Sequence, residues 1–173
     1  MTESSKRTVG VALGAALVGS LLSIGGVALV QKHEGLRYAA YPDPGTGGAP
    51  YTICYGHTKG VRPGMVATHD QCTQWLREDL MEAELAVRKY VKTPLTQNEY
   101  DVYTSFVFNA GAENFRTSTM LKLINQKRWT EACNQLPRWV YADKRKLNGL
   151  VKRRYEERVL CIKPSKVVYH GHK

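Results

Sequence analysis

Residues 9–30 read VGVALGAALVGSLLSIGGVALV, with no charge, no amide side chain and no proline. As one helix this run would span about 33 Å, enough for a hydrocarbon core of about 30 Å. The pattern then changes. Residues 31–37 read as a short helix bearing Glu34, and 38–62 are rich in Gly, Pro, Tyr and Thr, which predicts turns and short antiparallel strands. Residues 51–55 alternate like a strand. From Thr68 the period becomes helical. Thr68-His69-Asp70-Gln71 and Thr96-Gln97-Asn98-Glu99 have capping-box form. Trp75, Leu76, Leu80, Ala83 and Val87 follow the first, and Tyr103, Phe106, Val107 and Ala110 follow the second. Gly111 closes that helix, and Ser118 opens another carrying Met120, Leu121 and Ile124. Residues 129–136 predict a short helix stopped by Pro137, and 148–160 a last one with Leu150, Val151, Tyr155 and Val159 toward the core. The tail, 163–173, is expected to fray.

These elements predict an α+β domain, a small β-rich lobe followed by a larger helical one. The domain is expected over 31–162, preceded by a tail at 1–8 and a membrane segment at 9–30. Lys6 and Arg7 hold the N-terminus in the cytoplasm by the positive-inside rule, which exports the rest. A cleaved signal peptide has a shorter apolar stretch and a small-x-small site, and the end of this run offers no Ala-x-Ala. An uncleaved signal anchor fits better. It is a weak one: its many Gly and Ala bury little apolar area, and Ser20 and Ser23 are polar. Small residues at Gly10 and Gly14 also suit helix packing. The sharper expectation is a helix that can leave the bilayer.

Composition narrows the partners. The 173 residues carry a formal net charge of +10, which draws a protein toward polyanions: nucleic acid, anionic lipid or acidic cell-wall polymer. No groove-reading motif accompanies the charge, so no nucleic-acid partner is expected. Lys152, Arg153, Arg154 and Arg158 suggest either a polyanion-binding face or a solvated helix face. Cys54, Cys72, Cys133 and Cys161 form no C-x-x-C pair and suit two disulfides in an oxidising compartment; four buried thiols are the alternative. Three connectivities are open, and neighbouring elements favour Cys54–Cys72 and Cys133–Cys161. No metal site or cofactor is expected. His57, following a strand, reads as a structural hydrogen-bond donor.

The candidate chemistry lies in HEGLRYAAYPDPGTGGAPYTICYGHT, residues 33–58. Glu34 on a helix and Asp43 in a following turn can face each other across a cleft. Splitting a glycosidic bond needs two carboxyl groups in different states, one donating a proton to the leaving oxygen and one charged. The Thr52 hydroxyl, donor and acceptor together, can hold a water.

The full constellation resembles the phage-type lysozymes of the T4 lysozyme family, whose site carries a Glu, an Asp and a Thr. Glu34-Gly35-Leu36-Arg37, Tyr41-x-Asp43 and Tyr51-Thr52-Ile53-x-Tyr55-Gly56-His57 look like the family's acid-bearing helix, turn and hairpin. The Glu-to-Asp interval is the same; the Asp-to-Thr interval is longer, through Gly45-Thr46-Gly47-Gly48. Downstream, Phe106-Val107-Phe108-Asn109-Ala110-Gly111, Phe115-Arg116-Thr117-Ser118-Thr119, Lys127-Arg128-Trp129-Thr130-Glu131-Ala132 and Gly149-Leu150-Val151-x-Arg153-Arg154 also fit. The resemblance implies a lysozyme-like fold and a muramidase acting on peptidoglycan glycan strands as a monomer. Glu34 would be the general acid, Asp43 with Thr52 would activate the water, and Phe108 and Ser118 would contact the sugar chain.

Residues 9–30 further resemble the signal-anchor-release segments of lambdoid-phage endolysins. That implies retention at the host inner membrane, catalytic domain in the periplasm, and activation on release to lyse the cell. The segment has no cysteine, so activation is expected to be conformational rather than by thiol exchange. A rival reading is a permanently anchored murein-binding or regulatory protein with little hydrolytic activity.

Overall fold

Ser23 decides where the first helix begins. In a computed structural model, which describes residues 19–42, 47–142 and 144–171, Ser23 is extended and its side chain accepts from the Gly26 N–H, so α1 runs Ile24–Glu34. Gly35, at φ 70°, ends it, a left-handed backbone that a Cβ disfavours. Among the described residues, one helix thus joins the end of the apolar run to Glu34, where a separate short helix over 31–37 was expected. Residues 20–23 carry no helix, and residues 9–18 lie outside the described residues. No helix among the described residues is long and apolar enough to cross a membrane.

Strands β1 (Arg37–Pro42) and β2 (Tyr51–Cys54) form an antiparallel hairpin with Arg37 opposite Cys54 and Tyr41 opposite Thr52. Both capping boxes form, starting α2 (His69–Tyr90) and α3 (Gln97–Ala110). Gly111, at φ 90°, closes α3, and α4 (Ala112–Thr117) and α5 (Thr119–Asn125) follow. Helix α3 is the axis of the larger lobe: Tyr100, Val102, Tyr103 and Phe106 are fully buried. A second cluster packs Val30 of α1 against Ile53 and Cys54 of the hairpin and Leu76 and Leu80 of α2. Phe108 touches both clusters. Disulfides join Cys54 to Cys72 and Cys133 to Cys161, tying the hairpin to α2 and the sixth helix to the last.

Three elements differ from expectation. Helix α6 is Trp129–Cys133, and Pro137 lies inside a separate 3-10 turn, Leu136–Arg138; a proline near the start of such a turn loses no hydrogen bond. After the hairpin of β4 (Tyr141–Ala142) and β5 (Arg145–Lys146), helix α7 (Asn148–Cys161) is rotated from the expected face. Val151 and Tyr155 are exposed while Arg153, Arg154 and Glu157 are buried. Finally, residues 163–171 are not a frayed tail. Val167–Tyr169 is strand β6, paired with β3 (Leu95–Thr96). The buried Tyr169 hydroxyl lies 2.9 Å from the carbonyls of both Arg88 and Val91.

Residues 19–23 are held by buried polar groups of α2 and α3. The Ser20 hydroxyl and Leu21 N–H donate to Glu84, at 2.6 and 2.9 Å. The Ser23 N–H donates to Asp101 at 3.0 Å, and the Ser23 hydroxyl donates to its other oxygen. Gln97 bridges the Leu21 carbonyl and Asp101, at 2.8 Å each. Burial pushes the Asp101 carboxyl above its ordinary range, and the Ser23 and Gln97 donors pull it back. Gly26 passes so close that an added Cβ would lie 2.7 Å from Asp101 Cγ.

Ending the chain at Ser165 removes β6 and uncovers Leu95, Val91 and Tyr100. It is expected to cost about 2–4 kcal/mol of unfolding free energy, as for other losses of buried large side chains, measured by urea denaturation. A midpoint equal to the parent's would show that the strand contributes nothing.

Candidate active site

Glu34 is the last residue of α1, where the chain turns from helix into the hairpin. Its position is set by α7. Arg153 Nη1 donates to Glu34 Oε1 at 2.5 Å. The same guanidinium donates through Nε to Glu157 at 3.0 Å and through Nη2 to the Ser105 carbonyl and hydroxyl oxygens at 3.2 Å. Ser105 in turn donates to Glu157 at 2.8 Å. Arg154 pairs with the other Glu157 oxygen, reaches Asn109 Oδ1, and lies 5.0 Å from the Phe106 ring centroid. The cluster is Glu34–Arg153–Glu157–Arg154, and its last three members are at most 3% exposed. Such charges are tolerable in an interior because each meets an opposite partner and the remaining donors find oxygens.

The expected polyanion-binding or solvated face of α7 therefore does not describe Arg153 and Arg154. Their signal was present as spacing: Arg153 and Glu157 are four apart, Arg154 and Glu157 three apart, on one face. Charge run and buried ion cluster look alike until the partner on another helix is known.

Glu34 lies in the wall of a cleft of about 430 Å³, with Gly56 and Thr58 from the hairpin side, Asp79 and Glu82 from α2, and Phe108 and Asn109 from α3. Gly56, at φ 90°, approaches Glu34 so that an added Cβ would sit 3.4 Å from Oε2. Thr52 is buried on β2 opposite Tyr41. Asp43 follows β1 in sequence and lies outside the described residues. Phe108 lines the cleft. Ser118 does not join it: its hydroxyl donates to the Phe115 carbonyl and accepts from the Leu121 N–H, capping α5 while 6% exposed.

His57 is engaged at both nitrogens. Nδ1 lies 2.8 Å from Asp79 and Nε2 3.0 Å from the Lys59 carbonyl, and the ring stacks on Trp75 at 4.9 Å. It locks the hairpin to α2. His33, beside Glu34, lies below the ordinary histidine range because it is buried and near the Arg153 guanidinium, although Glu156 sits 3.0 Å from its Nε2.

The model of the phage lysozyme family matches residues 31–157. The chain belongs to the phage lysozyme family. Within it, the chain is 41% identical over 130 residues to the SAR-endolysin of Bacteriophage PS119, covering 75% of this chain and 76% of that protein. It is 36% identical over 168 residues to the SAR-endolysin of Enterobacteria phage PA-2, covering 94% of this chain and 98% of that one. Among solved structures it is similar to the muramidase domain of SpmX from Asticaccaulis excentricus, with a TM-score of 0.76 and 37% identity over 83% of this chain and 98% of that one. The lysozyme-like α+β fold is thereby established, and the family match begins at Gln31, inside α1.

Replacing Arg153 with Gln strands Glu157 without its Nε donor and frees Glu34. Breaking one partner of a buried ion cluster typically costs about 3–5 kcal/mol. The variant is expected to unfold at markedly lower urea and to lose most lytic activity, whereas Tyr155→Ala on the exposed face changes neither. Parental stability for Arg153→Gln would contradict the assigned role.

Proposed function

We infer that the protein is a phage endolysin: a muramidase that hydrolyses the β-1,4 bond between N-acetylmuramic acid and N-acetylglucosamine and so lyses the host cell. The observation that carries this reading is Glu34, fixed by Arg153 in the wall of an open cleft in a chain of the phage lysozyme family. Arg153 occupies Oε1, which leaves Oε2, on the Gly56 side, as the oxygen that carries the transferable proton. In this mechanism Glu34 protonates the leaving glycosidic oxygen. Asp43 accepts a proton from water, and Thr52 orients that water for attack on the opposite face of the sugar. The product has inverted configuration, which calls for carboxyl groups about 6.5–9.5 Å apart. Phe108 offers an apolar wall to the sugar rings.

The names of its relatives support an export route in which residues 1–8 stay cytoplasmic, 9–30 insert uncleaved in the inner membrane, and the catalytic domain enters the periplasm. Membrane insertion and the enzyme fold then compete for residues 20–30. In the fold these residues satisfy Glu84 and Asp101 and place Val30 in the core. In the bilayer they would leave both carboxylates without these donors and α1, with Glu34, off the cleft. Release from the membrane is then what completes the site.

Glu34→Gln tests the chemistry. Lysis and release of reducing sugar from murein are expected to fall by at least about two orders of magnitude, in line with loss of a general acid; parental lysis would contradict the role given to Glu34.

Competition has its own test. Gly26→Ala drives a Cβ into Asp101, while Gly25→Ala meets the Ser23 hydroxyl oxygen at 3.4 Å and makes the segment equally more apolar. After collapse of the membrane potential, Gly26→Ala is expected to stay in the membrane fraction and delay lysis, with Gly25→Ala close to the parent. If the two variants behave alike, docking against Asp101 does not govern release.

A further inference from the structure

Helix α7 is inverted. A surface helix ordinarily turns its apolar side inward and its charges to solvent. Here Arg153, Arg154 and Glu157 are buried while Val151, Tyr155 and Ile162 are exposed, Tyr155 at 65%. Glu34, Ser105 and Asn109 account for the inward charges, and nothing among the described residues covers the outward apolar side chains. Single exposed hydrophobic residues are ordinary on a surface, but these three are not scattered. At about 100° per residue they fall within about 40° of arc, a stripe that the exposed Leu147 extends to the start of the helix. Arg158, on the same stripe, is turned to Asn134 Oδ1 at 2.8 Å.

Cations border the stripe. Residues 144–166 hold nine Lys or Arg against two Glu, which is seven of the chain's net ten positive charges. Glu157 is taken by the buried arginines and Glu156 by Lys32 and His33. Lys144, Arg145 and Lys146 precede the helix, Lys152 lies along it, and Lys163 and Lys166 follow it. All six are exposed and form no ion pair with a described acidic residue; Asp143, next in sequence, lies outside the described residues. Charge alone suits any polyanion, and the apolar stripe narrows the choice. A glycan or nucleic-acid backbone gives Val151 and Ile162 no apolar cover, whereas a bilayer offers acyl chain and anionic head group at one surface. None of the residues lining the 430 Å³ cleft belongs to α7, so contact through this face engages no wall of that cleft.

We propose that the outer face of α7 is a membrane-docking surface: Val151, Tyr155 and Ile162 enter the head-group region of an anionic bilayer, and the bordering lysines and arginines pair with lipid phosphates. The contact is interfacial and separate from the spanning contact proposed for residues 9–30. An enzyme released from its anchor is thereby kept concentrated at a bilayer surface instead of diffusing freely.

The test uses full-length released protein, so that every variant keeps the same N-terminal segment. The vesicles are phosphatidylglycerol with phosphatidylethanolamine, or phosphatidylcholine alone. At low salt the parent is expected to co-sediment with the anionic vesicles at least about tenfold more tightly than with the zwitterionic ones, and to dissociate as salt rises. Val151→Ser, Tyr155→Ser and Ile162→Ser combined are expected to weaken binding about tenfold to a hundredfold, with hydrolysis of solubilised murein unchanged. In Tyr155→Trp, the fluorescence added by the new indole is expected to be quenched by lipids brominated just below the head groups. Equal binding by the parent and the triple variant, or an unquenched indole at that position, overturns the proposal, because the N-terminal segment or charge alone then holds the vesicle. If the parent binds no vesicle and forms a dimer that the triple variant does not, the face belongs to a second copy and the lipid assignment also fails. Murein hydrolysis by the parent is read separately, so none of these outcomes bears on the muramidase reading.

Discussion

The guanidinium of Arg153 is the point on which the site depends. It binds Glu34 at the end of α1, Glu157 on its own helix and the Ser105 oxygens on α3, so one side chain fixes three helices around one carboxyl group. Arginine suits this because its planar fork presents several donors at once and stays charged in the interior. Desolvation of Arg153, Arg154 and Glu157 is costly, and mutual pairing offsets it only while all members are present. Position, charge and stability at Glu34 are thus coupled: a change that moves α1 also leaves charges in the core without partners.

That coupling gives the N-terminal segment its meaning. Helix α1 carries Glu34 at one end and, at the other, the Ser23 cap and Gly26 against Asp101. Ser20, Ser23 and Gly26, which would weaken the apolar run as a membrane span, are residues the folded enzyme uses. Glycine permits close approach to α3, and the two serines satisfy Glu84 and Asp101. A leucine-rich span would insert more firmly and could not dock here. In the proposed export route the composition serves two environments, and the polar contacts of residues 20–23 are what the aqueous one supplies.

Much of the helical lobe was legible because its signals are local. Both capping boxes, the Gly111 stop and the Ser118 cap need only adjacent residues. The hairpin around Thr52 followed from turn chemistry and alternation, and the disulfide partners from neighbouring elements. What was missed depends on contacts distant in sequence. The buried face of α7 is charged because Glu34, Ser105 and Asn109 lie opposite it, over forty residues away in each case. Strand β6 exists because β3 offers an edge, and α1 extends back to Ile24 because α2 and α3 present acceptors. Ser118, a sugar contact by resemblance, has its hydroxyl engaged in a local cap that the sequence also suggested.

Amide hydrogen exchange on membrane-tethered and released protein tests most directly whether the apolar segment and the active enzyme share one set of contacts. Released protein is expected to protect the Leu21 and Ser23 amides and the amides of α1. In tethered protein the central turns of α2 and α3 around Glu84 and Asp101 should exchange faster. Equal protection of those turns in both forms would contradict the account, since the receiving site would then be complete without the segment that fills it.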